Sequence, residues 1–280
     1  MTSSSPHDTL PKQSQSDVPA LSTTSLTIRF GGHVAVNSVT TQFSPGSLTA
    51  IVGPNGAGKT TFFNLLSGQL KSTSGQIHFK GEDITRLNIA KRTRKGIGRA
   101  FQLTNLFPQL SVIENVRLAV QSRHRAGFNM TSIWKNRADL IEQANHYVAQ
   151  VGLAPRSNEL AAQLSHGGKR RLEVAILMAL EPEIFMFDEP TAGMSADEVP
   201  LILDQIKRLK QQGDKTILLV EHKLNIVHSL ADRIIVLHNG ELLADGPPAV
   251  VMGSQIVQEA YLGAKRPVAT RGTQEGQSYA

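Results

Sequence analysis

The sequence predicts an α/β fold with a mostly parallel sheet. Short apolar, β-branched runs alternate with longer segments of helical spacing, and strands that alternate with helices form parallel sheets. A glycine-rich loop at 53–60 joins one apolar run to a helix, which is the arrangement of a phosphate-binding loop. The apolar run 184–187 ends in two adjacent acids. Because ligands bind at the carboxyl ends of such strands, we expect the loop and the acids to lie together.

Composition sets broad limits on this prediction. The chain has 280 residues, of which 40% are hydrophobic, and this suits one large domain or one domain with a subdomain. It contains no cysteine, so disulfides and cysteine-based metal sites are excluded. No apolar run approaches the ~20 residues of a membrane span, and the N-terminus has no apolar signal segment. The net charge of +6 is compatible with binding to a nucleic acid, to a nucleotide or to an anionic membrane surface. A scattered basic surface without such a partner explains it equally well.

The first part of the chain predicts a tail followed by short strands. Residues 1–22 are rich in Ser, Thr, Pro and Gln and predict a disordered tail, with structure beginning near Ser25. Alternating apolar residues and paired turn residues then predict strands that form an antiparallel sheet, at 26–30, 34–36, 39–43 and 76–80. The basic stretch 86–95 has helical spacing. A solvated helix face and a nucleic-acid patch are both open interpretations of it.

The glycine-rich loop carries the first chemical signal. It reads Gly53-Pro54-Asn55-Gly56-Ala57-Gly58-Lys59-Thr60, with Thr61 behind it. Glycines let backbone N–H groups converge on a phosphate, and the following helix adds the positive end of its dipole. Lys59 would contact the β- and γ-phosphates, and the Thr60 hydroxyl would bind Mg²⁺. We expect the helix to span 61–70, with Gly68 loosening its end.

Helical patterns dominate the middle of the chain. Ser111-Val-Ile-Glu114 is a capping box, and residues 112–152 are largely helical in spacing. A second helix is predicted to follow Ser165 and to end before Pro182.

The two acids carry the second chemical signal. Asp188 and Glu189 follow the buried run, and Glu221 and His222 follow another one at 216–220. One carboxylate can hold Mg²⁺, and the next can orient or deprotonate a water molecule. Two acids at a strand end could instead be solvated surface residues, but the phosphate-binding loop favours the functional interpretation.

Five motifs together resemble the ATPase subunit of an ABC transporter. They are the loop 53–60, Arg99-Ala-Phe-Gln102, Leu164-Ser-His-Gly-Gly168, Asp188-Glu-Pro-Thr-Ala-Gly193 and Glu221-His222. The resemblance covers about 25–263. It implies a P-loop NTPase core, an antiparallel β subdomain and an α-helical subdomain. The implied division is a tail at 1–22, an ATPase domain at 23–262 and a flexible tail at 263–280. Within that domain the core is 23–102 and 168–262, and the helical and signature part is 103–167.

The resemblance also implies a role for each motif residue. Phe30 stands where an aromatic ring stacks on adenine, and Glu189 is the implied catalytic carboxylate. His222 would contact the γ-phosphate, while Ser165 and Gly167 would contact the ATP held by the opposite subunit. Lys59, Glu189 and His222 form the implied catalytic set. The implied nucleotide contacts are Phe30, Gly53, Pro54, Asn55, Gly56, Ala57, Gly58, Lys59, Thr60, Thr61, Gln102, Ser165 and Gly167, and the implied metal ligands are Thr60, Gln102 and Asp188.

Each of these residues also has a purely structural interpretation. Phe30 could be a core residue and Gln102 a surface residue. Ser165 could cap a helix, which is compatible with phosphate binding. His222 could be a satisfied polar residue at a strand end. The combination of motifs favours the functional interpretation.

Two positions depart from the family pattern. Gly168 replaces a glutamine in the signature, which bears on the partner's site rather than on this chain's own site. Ser195 replaces an aspartate after the acidic motif. Ser195 begins Ser-x-x-Glu and could cap the next helix, but Pro200 would lie too deep in such a helix, so Asp197 is an alternative cap. Since Lys59 and the acidic motif are intact, the resemblance implies ATP hydrolysis.

A finer resemblance concerns the transported solute. Segments such as Arg29-Phe-Gly-Gly32, Arg170-Arg-Leu-Glu173 and Glu259-Ala-Tyr-Leu-Gly263 are similar to the uptake branch for branched-chain amino acids, urea and short amides. This branch implies two membrane permeases, a second identical or related ATPase, an external solute-binding protein, and a position at the cytoplasmic face of the inner membrane. It implies that the chain binds ATP and Mg²⁺ as cofactors and has no nucleic-acid partner. The alternatives are an exporter ATPase for lipid or polysaccharide and a soluble ABC ATPase acting on nucleic acid or the ribosome.

Overall fold

Two β-sheets organise the molecule. The computed structural model describes residues 18–100, 106–124 and 137–262, and all structural statements concern this part of the chain. One sheet has four strands in the order β2-β1-β4-β5, and the other has six in the order β10-β9-β3-β8-β7-β6. The strands are β1 (Leu21–Phe30), β2 (His33–Phe43), β3 (Leu48–Val52), β4 (Ser74–Phe79), β5 (Glu82–Asp83), β6 (Ile97–Arg99), β7 (Ile184–Asp188), β8 (Thr216–Val220), β9 (Arg233–His238) and β10 (Glu241–Gly246).

The six-stranded sheet is parallel except at one edge. Strands β9, β3, β8, β7 and β6 run parallel to one another, while β10 pairs antiparallel with β9 through a hairpin. The four-stranded sheet is antiparallel throughout. The predicted α/β class, with a mostly parallel sheet and an antiparallel β subdomain, is confirmed. Because β9, β3, β8, β7 and β6 are parallel, their carboxyl ends meet at one edge.

Helices surround these sheets and build a separate layer. They are α1 (Lys59–Ser67), α2 (Ile89–Lys95), α3 (Val112–Arg123), α4 (Arg137–Gln150), α5 (His166–Ala179), α6 (Val199–Gln211), α7 (Leu224–Leu230), α8 (Pro248–Gly253) and α9 (Gln255–Leu262). Helices α3 and α4 pack on α5 through one apolar cluster that includes Val116, Ala144 and Leu172. A second cluster packs α1 between the sheets and includes Phe62, Phe63 and Leu218. None of the helices in the described ranges has the length and apolar character of a membrane span.

The first strand begins earlier than the expected start near Ser25. Leu21 is fully buried and pairs with Phe43 on one side and Phe79 on the other. The Thr23 hydroxyl donates a hydrogen bond of 3.0 Å to the Val39 carbonyl. Burial of Leu21 between two neighbouring strands therefore outweighs the polar composition that suggested a tail up to residue 22.

Helix α1 is shorter than the predicted span 61–70. It begins at Lys59 and ends at Ser67, because Gly68 adopts a left-handed conformation with φ of 83° and caps the helix. A glycine in this conformation stops a helix rather than loosening it. The C-terminal end of α1 is also held by Arg92, which is fully buried. The basic segment of α2 is therefore not simply a solvated face.

The expected caps of helix α6 are both wrong. The helix begins at Val199 after Glu198, so neither Ser195 nor Asp197 caps it, and Pro200 lies in the first turn. Proline is tolerated there because the first N–H groups of a helix have no partner within the helix. The Ser195 hydroxyl instead lies 3.0 Å from Glu198 Oε2.

Candidate functional site

A cavity of about 410 Å³ lies beside the glycine-rich loop. Residues 53–58 connect the buried strand β3 to helix α1, so the loop stands at the carboxyl edge of the parallel sheet. Gly56 and Gly58 have φ of 80° and 94°, values that favour glycine over other residues. The cavity is lined by Phe30, His33, Ala35, Asn55, Gly56, Ala57, Gly58, Lys59, Thr60, Thr61, Glu189 and His222.

Lys59 is the buried cation of this cavity. Its side chain is folded back, and Nζ donates hydrogen bonds of 2.9 Å to the Gly53 and Pro54 carbonyl oxygens. Burial lowers the pKa of Lys59, and the carboxylates of Glu189 and Asp188 oppose this shift. The lysine thus stands between the loop and the two acids, where it can transfer its hydrogen bonds to a phosphate.

Glu189 and His222 form a polar pair in the cavity wall. The distance between Glu189 Oε1 and His222 Nε2 is 2.8 Å. Glu189 has φ of 48°, and a left-handed conformation costs a residue other than glycine about 1–3 kcal/mol. Its backbone is fixed by a hydrogen bond of 2.9 Å from its N–H to the Val220 carbonyl. The strained turn therefore presents the Glu189 carboxylate to the cavity beside the imidazole.

The backbone around the acidic pair is held from a second helix. Arg170 of α5 is buried, and its Nη2 donates to the carbonyl oxygens of Asp188 and Glu189 at 3.1 and 3.0 Å. The loop after the pair is tied to β8, because the Thr191 hydroxyl donates to Glu221 Oε1 at 2.7 Å. Glu221 therefore has a structural role next to His222.

Asp188 lies behind the cavity at the end of β7. Its side chain is 1% exposed, and Oδ2 accepts a hydrogen bond from Arg99 Nη2 at 2.6 Å. Oδ1 has no hydrogen-bond partner within the described part of the chain. An unpartnered buried carboxylate oxygen is costly unless a cation or donor occupies it. This oxygen is therefore a candidate cation ligand.

The donor set fits a hard cation that is shared with phosphate. The described residues contain no cluster of three or more His, Asp and Glu side chains that could hold a metal alone. Mg²⁺ usually takes one or two protein carboxylates and completes its shell with phosphate oxygens and water. Asp188 and the Thr60 hydroxyl suit that pattern. Gln102, the third predicted ligand, lies outside the described residues.

The signature residues stand apart from the cavity lining. Ser165 is exposed and caps α5, because its Oγ accepts a hydrogen bond of 3.0 Å from the Gly168 N–H. A Cβ on Gly167 would lie 2.0 Å from Glu198 Oε2, and a Cβ on Gly193 would lie 2.8 Å from His166 Nε2. Neither Ser165 nor Gly167 lines the chain's own phosphate cavity.

Phe30 and His33 close the outer side of the cavity. Phe30 ends β1, His33 begins β2, and the two residues pair across the turn formed by Gly31 and Gly32. Phe30 is 49% exposed, so its interpretation as a core residue is wrong. His33 and Ala35 were not predicted as site residues. The register across the two-glycine turn places His33 beside Phe30, and the sequence contained that signal.

The comparisons with known proteins agree with this geometry. Residues 36–192 match the sequence profile of the ABC transporter family. The chain belongs to the ABC transporter family. It is 39% identical over 251 residues to BraF of Pseudomonas aeruginosa, covering 88% of this chain and 98% of that protein. It is 36% identical over 250 residues to LivG of Escherichia coli, covering 88% and 98% of the two chains. Both relatives are named as ATP-binding proteins of high-affinity branched-chain amino acid transport.

Solved structures give the same family and the same fold. A nucleotide-free ATP-binding cassette from an ABC transporter matches with a TM-score of 0.75 and 27% identity, covering 88% of this chain and 99% of the other. A dimeric cassette in a post-hydrolysis state bound to ADP and Pi matches with a TM-score of 0.72 and 26% identity, covering 81% and 98%. The chain therefore has the ABC ATPase fold and belongs to a family of transport ATPases. The roles of its individual site residues stay predictions.

Proposed function

We propose that this chain is the ATP-hydrolysing subunit of an importer for branched-chain amino acids or for related amides or urea. The observation that carries the ATPase part is the Glu189–His222 pair, with 2.8 Å between its polar atoms, in the wall of the cavity that Lys59 and the loop share. The solute class is supported by BraF and LivG, which are named for branched-chain amino acid transport.

The residues divide the reaction between them. Lys59 and the loop N–H groups bind the β- and γ-phosphates, and Phe30 stacks on the base. Thr60, Asp188 and Gln102 would hold Mg²⁺, which would neutralise charge on the phosphates when bound. Glu189 orients and deprotonates the attacking water, and His222 fixes the Glu189 carboxylate and contacts the γ-phosphate.

The separation of the signature from the chain's own cavity supports a proposed assembly with a second ATPase subunit. Ser165 and Gly167 contact the ATP that a second ATPase subunit holds, and this subunit is identical or related. Two permeases carry the solute, an external binding protein delivers it, and the ATPases lie on the cytoplasmic face of the membrane. Closure of the ATPase pair on ATP and its reopening after hydrolysis supply a conformational cycle to the permeases.

Reconstitution tests this function. The chain is purified together with its co-purifying membrane subunits and placed in liposomes with ATP inside and the external binding protein outside. We expect ATP-dependent uptake of labelled leucine, of a short amide or of urea, and no uptake with Glu189→Gln in the same complex. Salt-sensitive co-purification of RNA without any permease would contradict the proposal and support the nucleic-acid alternative.

A further inference from the structure

A buried arginine contacts the predicted metal ligand from outside the cavity. Arg99 is the last residue of β6, which pairs with β7 and thus lies beside the strand that ends in Asp188. Nη2 of Arg99 is 2.6 Å from Asp188 Oδ2, and the two side chains are 7% and 1% exposed. Arg99 does not line the phosphate cavity. It can therefore act on the reaction only through Asp188 and other neighbours.

The other terminal nitrogen of Arg99 holds the end of the phosphate-loop helix. Nη1 lies 2.6 Å from Asn64 Oδ1, 3.0 Å from Ser67 Oγ and 2.6 Å from Gln69 Oε1. The guanidinium carbon lies 4.9 Å from the centre of the Phe63 ring. Three of these four neighbours belong to α1, and Gln69 follows its capping residue Gly68. One guanidinium thus joins the helix that begins with Lys59 and Thr60 to the carboxylate at the end of β7.

The contact with Arg99 gives the two carboxylate oxygens of Asp188 different hydrogen bonding. Oδ2 is fixed by Arg99, and Oδ1 has no hydrogen-bond partner within the described residues. A carboxylate that is pinned through one oxygen has a defined direction for the other. The pairing also explains how a charged aspartate is kept at 1% exposure, since an unpaired buried charge is strongly disfavoured.

We propose that Arg99 is a positioning residue that orients Asp188 toward Mg²⁺ and sets its distance from Thr60 at the start of α1. This inference rests on the proposed ATPase function and adds a residue to its metal site. A planar guanidinium can serve acceptors on both sides at once, whereas the ammonium of lysine concentrates its donors at one point. Arg99→Lys therefore keeps the positive charge but cannot bond to α1 and to Asp188 at the same time.

The test measures the dependence of nucleotide binding on Mg²⁺ rather than turnover. The melting temperature of the full chain is recorded with saturating ADP over a series of buffered Mg²⁺ concentrations, and with ADP in EDTA. For Arg99→Met we expect the half-maximal Mg²⁺ concentration to rise about tenfold, since loss of a partner behind a metal ligand typically weakens metal affinity 10–100-fold. The shift produced by ADP in EDTA should be retained. Arg99→Lys should give a smaller rise and provides the test if Arg99→Met does not fold.

Arg92→Met is the matched control. Arg92 is also buried and also holds the end of α1, through bonds of 2.7 Å to the Leu65 and Leu66 carbonyl oxygens, but no bond of Arg92 reaches Asp188 within the described residues. Arg92→Met should lower the melting temperature without changing the half-maximal Mg²⁺ concentration. An unchanged Mg²⁺ dependence in both Arg99 variants would overturn the role of Arg99. An equal rise in Arg92→Met would also overturn it, because a general disturbance of α1 would then suffice. Absence of any ADP-dependent shift in the wild-type chain would instead contradict the proposed function.

Discussion

The phosphate-loop end and the signature end of this chain differ in how completely they are built. At the phosphate-loop end, Lys59, Glu189 and His222 line one cavity, and buried arginines fix the backbone and side chain of the acidic motif. At the signature end, Ser165 is exposed, and its Oγ accepts a hydrogen bond from the nearby Gly168 N–H. The first region groups its polar side chains around one cavity. The second is a helix N-terminus outside that cavity, as the proposed contact with a partner's ATP requires.

The largest expected effect is a loss of ATP hydrolysis on substitution in the acidic pair, at the phosphate-loop end. Glu189→Gln keeps the shape of the side chain and removes the base, so ATP hydrolysis by the assembled transporter should fall by about 10²–10⁴-fold. ATP affinity of the variant should stay within about twofold of wild type, because the amide keeps the side-chain volume. Steady-state phosphate release and equilibrium ATP binding measure the two quantities. Hydrolysis at the wild-type rate would remove Glu189 from its proposed role.

The next effect concerns the packing beneath the signature. In Gly167→Ala the new Cβ would meet Glu198 Oε2, since an ideal Cβ lies 2.0 Å from that atom. Because this atom ends a flexible side chain, Glu198 should swing aside and lose its contacts with Arg171 and Ser195, which should lower the free energy of unfolding by about 1–2 kcal/mol in urea denaturation. In the Glu198→Ala background, Gly167→Ala should cause little further loss in the free energy of unfolding, because the side chain that the new Cβ would meet is absent. A loss of the same size in both backgrounds would show that Glu198 does not impose the glycine.

A smaller effect tests the outer wall of the cavity. Phe30→Ala should weaken ATP binding by about tenfold, since stacking of a base on an aromatic ring contributes roughly 1–3 kcal/mol. Binding of inorganic triphosphate, which has no base, should be unchanged. Val34→Ala, in the same turn region but outside the cavity lining, is the control for general damage to the β1–β2 turn. Equal losses for ATP and triphosphate in Phe30→Ala would contradict a stacking role.

The smallest expected effect is on the signature serine as a helix cap. Ser165→Ala removes the acceptor of the Gly168 N–H and should cost about 1 kcal/mol of stability in urea denaturation. Ser165→Asp keeps a capping acceptor and should restore that stability. It would place a negative charge where the partner's γ-phosphate is proposed to bind, so hydrolysis by the assembled ATPase pair should fall further than with Ser165→Ala. Hydrolysis that followed stability in both variants would limit Ser165 to capping.

The sequence predicted the parts of this site that depend on local pattern. The phosphate loop and the acidic pair after β7 each lie within a few consecutive residues. The bridge from Arg99 to Asp188 joins residues 89 positions apart, and no local pattern specifies which buried charges will pair. For the same reason, the sequence did not predict that Arg92 is buried within a basic helix or that Glu198 lies against Gly167. The start of β1 at Leu21 was missed because neighbouring strands, rather than its own composition, bury that residue.

The difference between the two ends is tested most directly by ATP binding to the isolated chain. Fluorescent ATP is titrated into wild type, Lys59→Ala and Ser165→Ala at protein concentrations where the chain is monomeric. Lys59→Ala should weaken binding by roughly 10–100-fold, because hydrogen bonds to charged groups contribute about 1.5–3 kcal/mol. Ser165→Ala should bind within about twofold of wild type. Equal weakening by the two substitutions would contradict the account, since the signature serine would then belong to the chain's own nucleotide site.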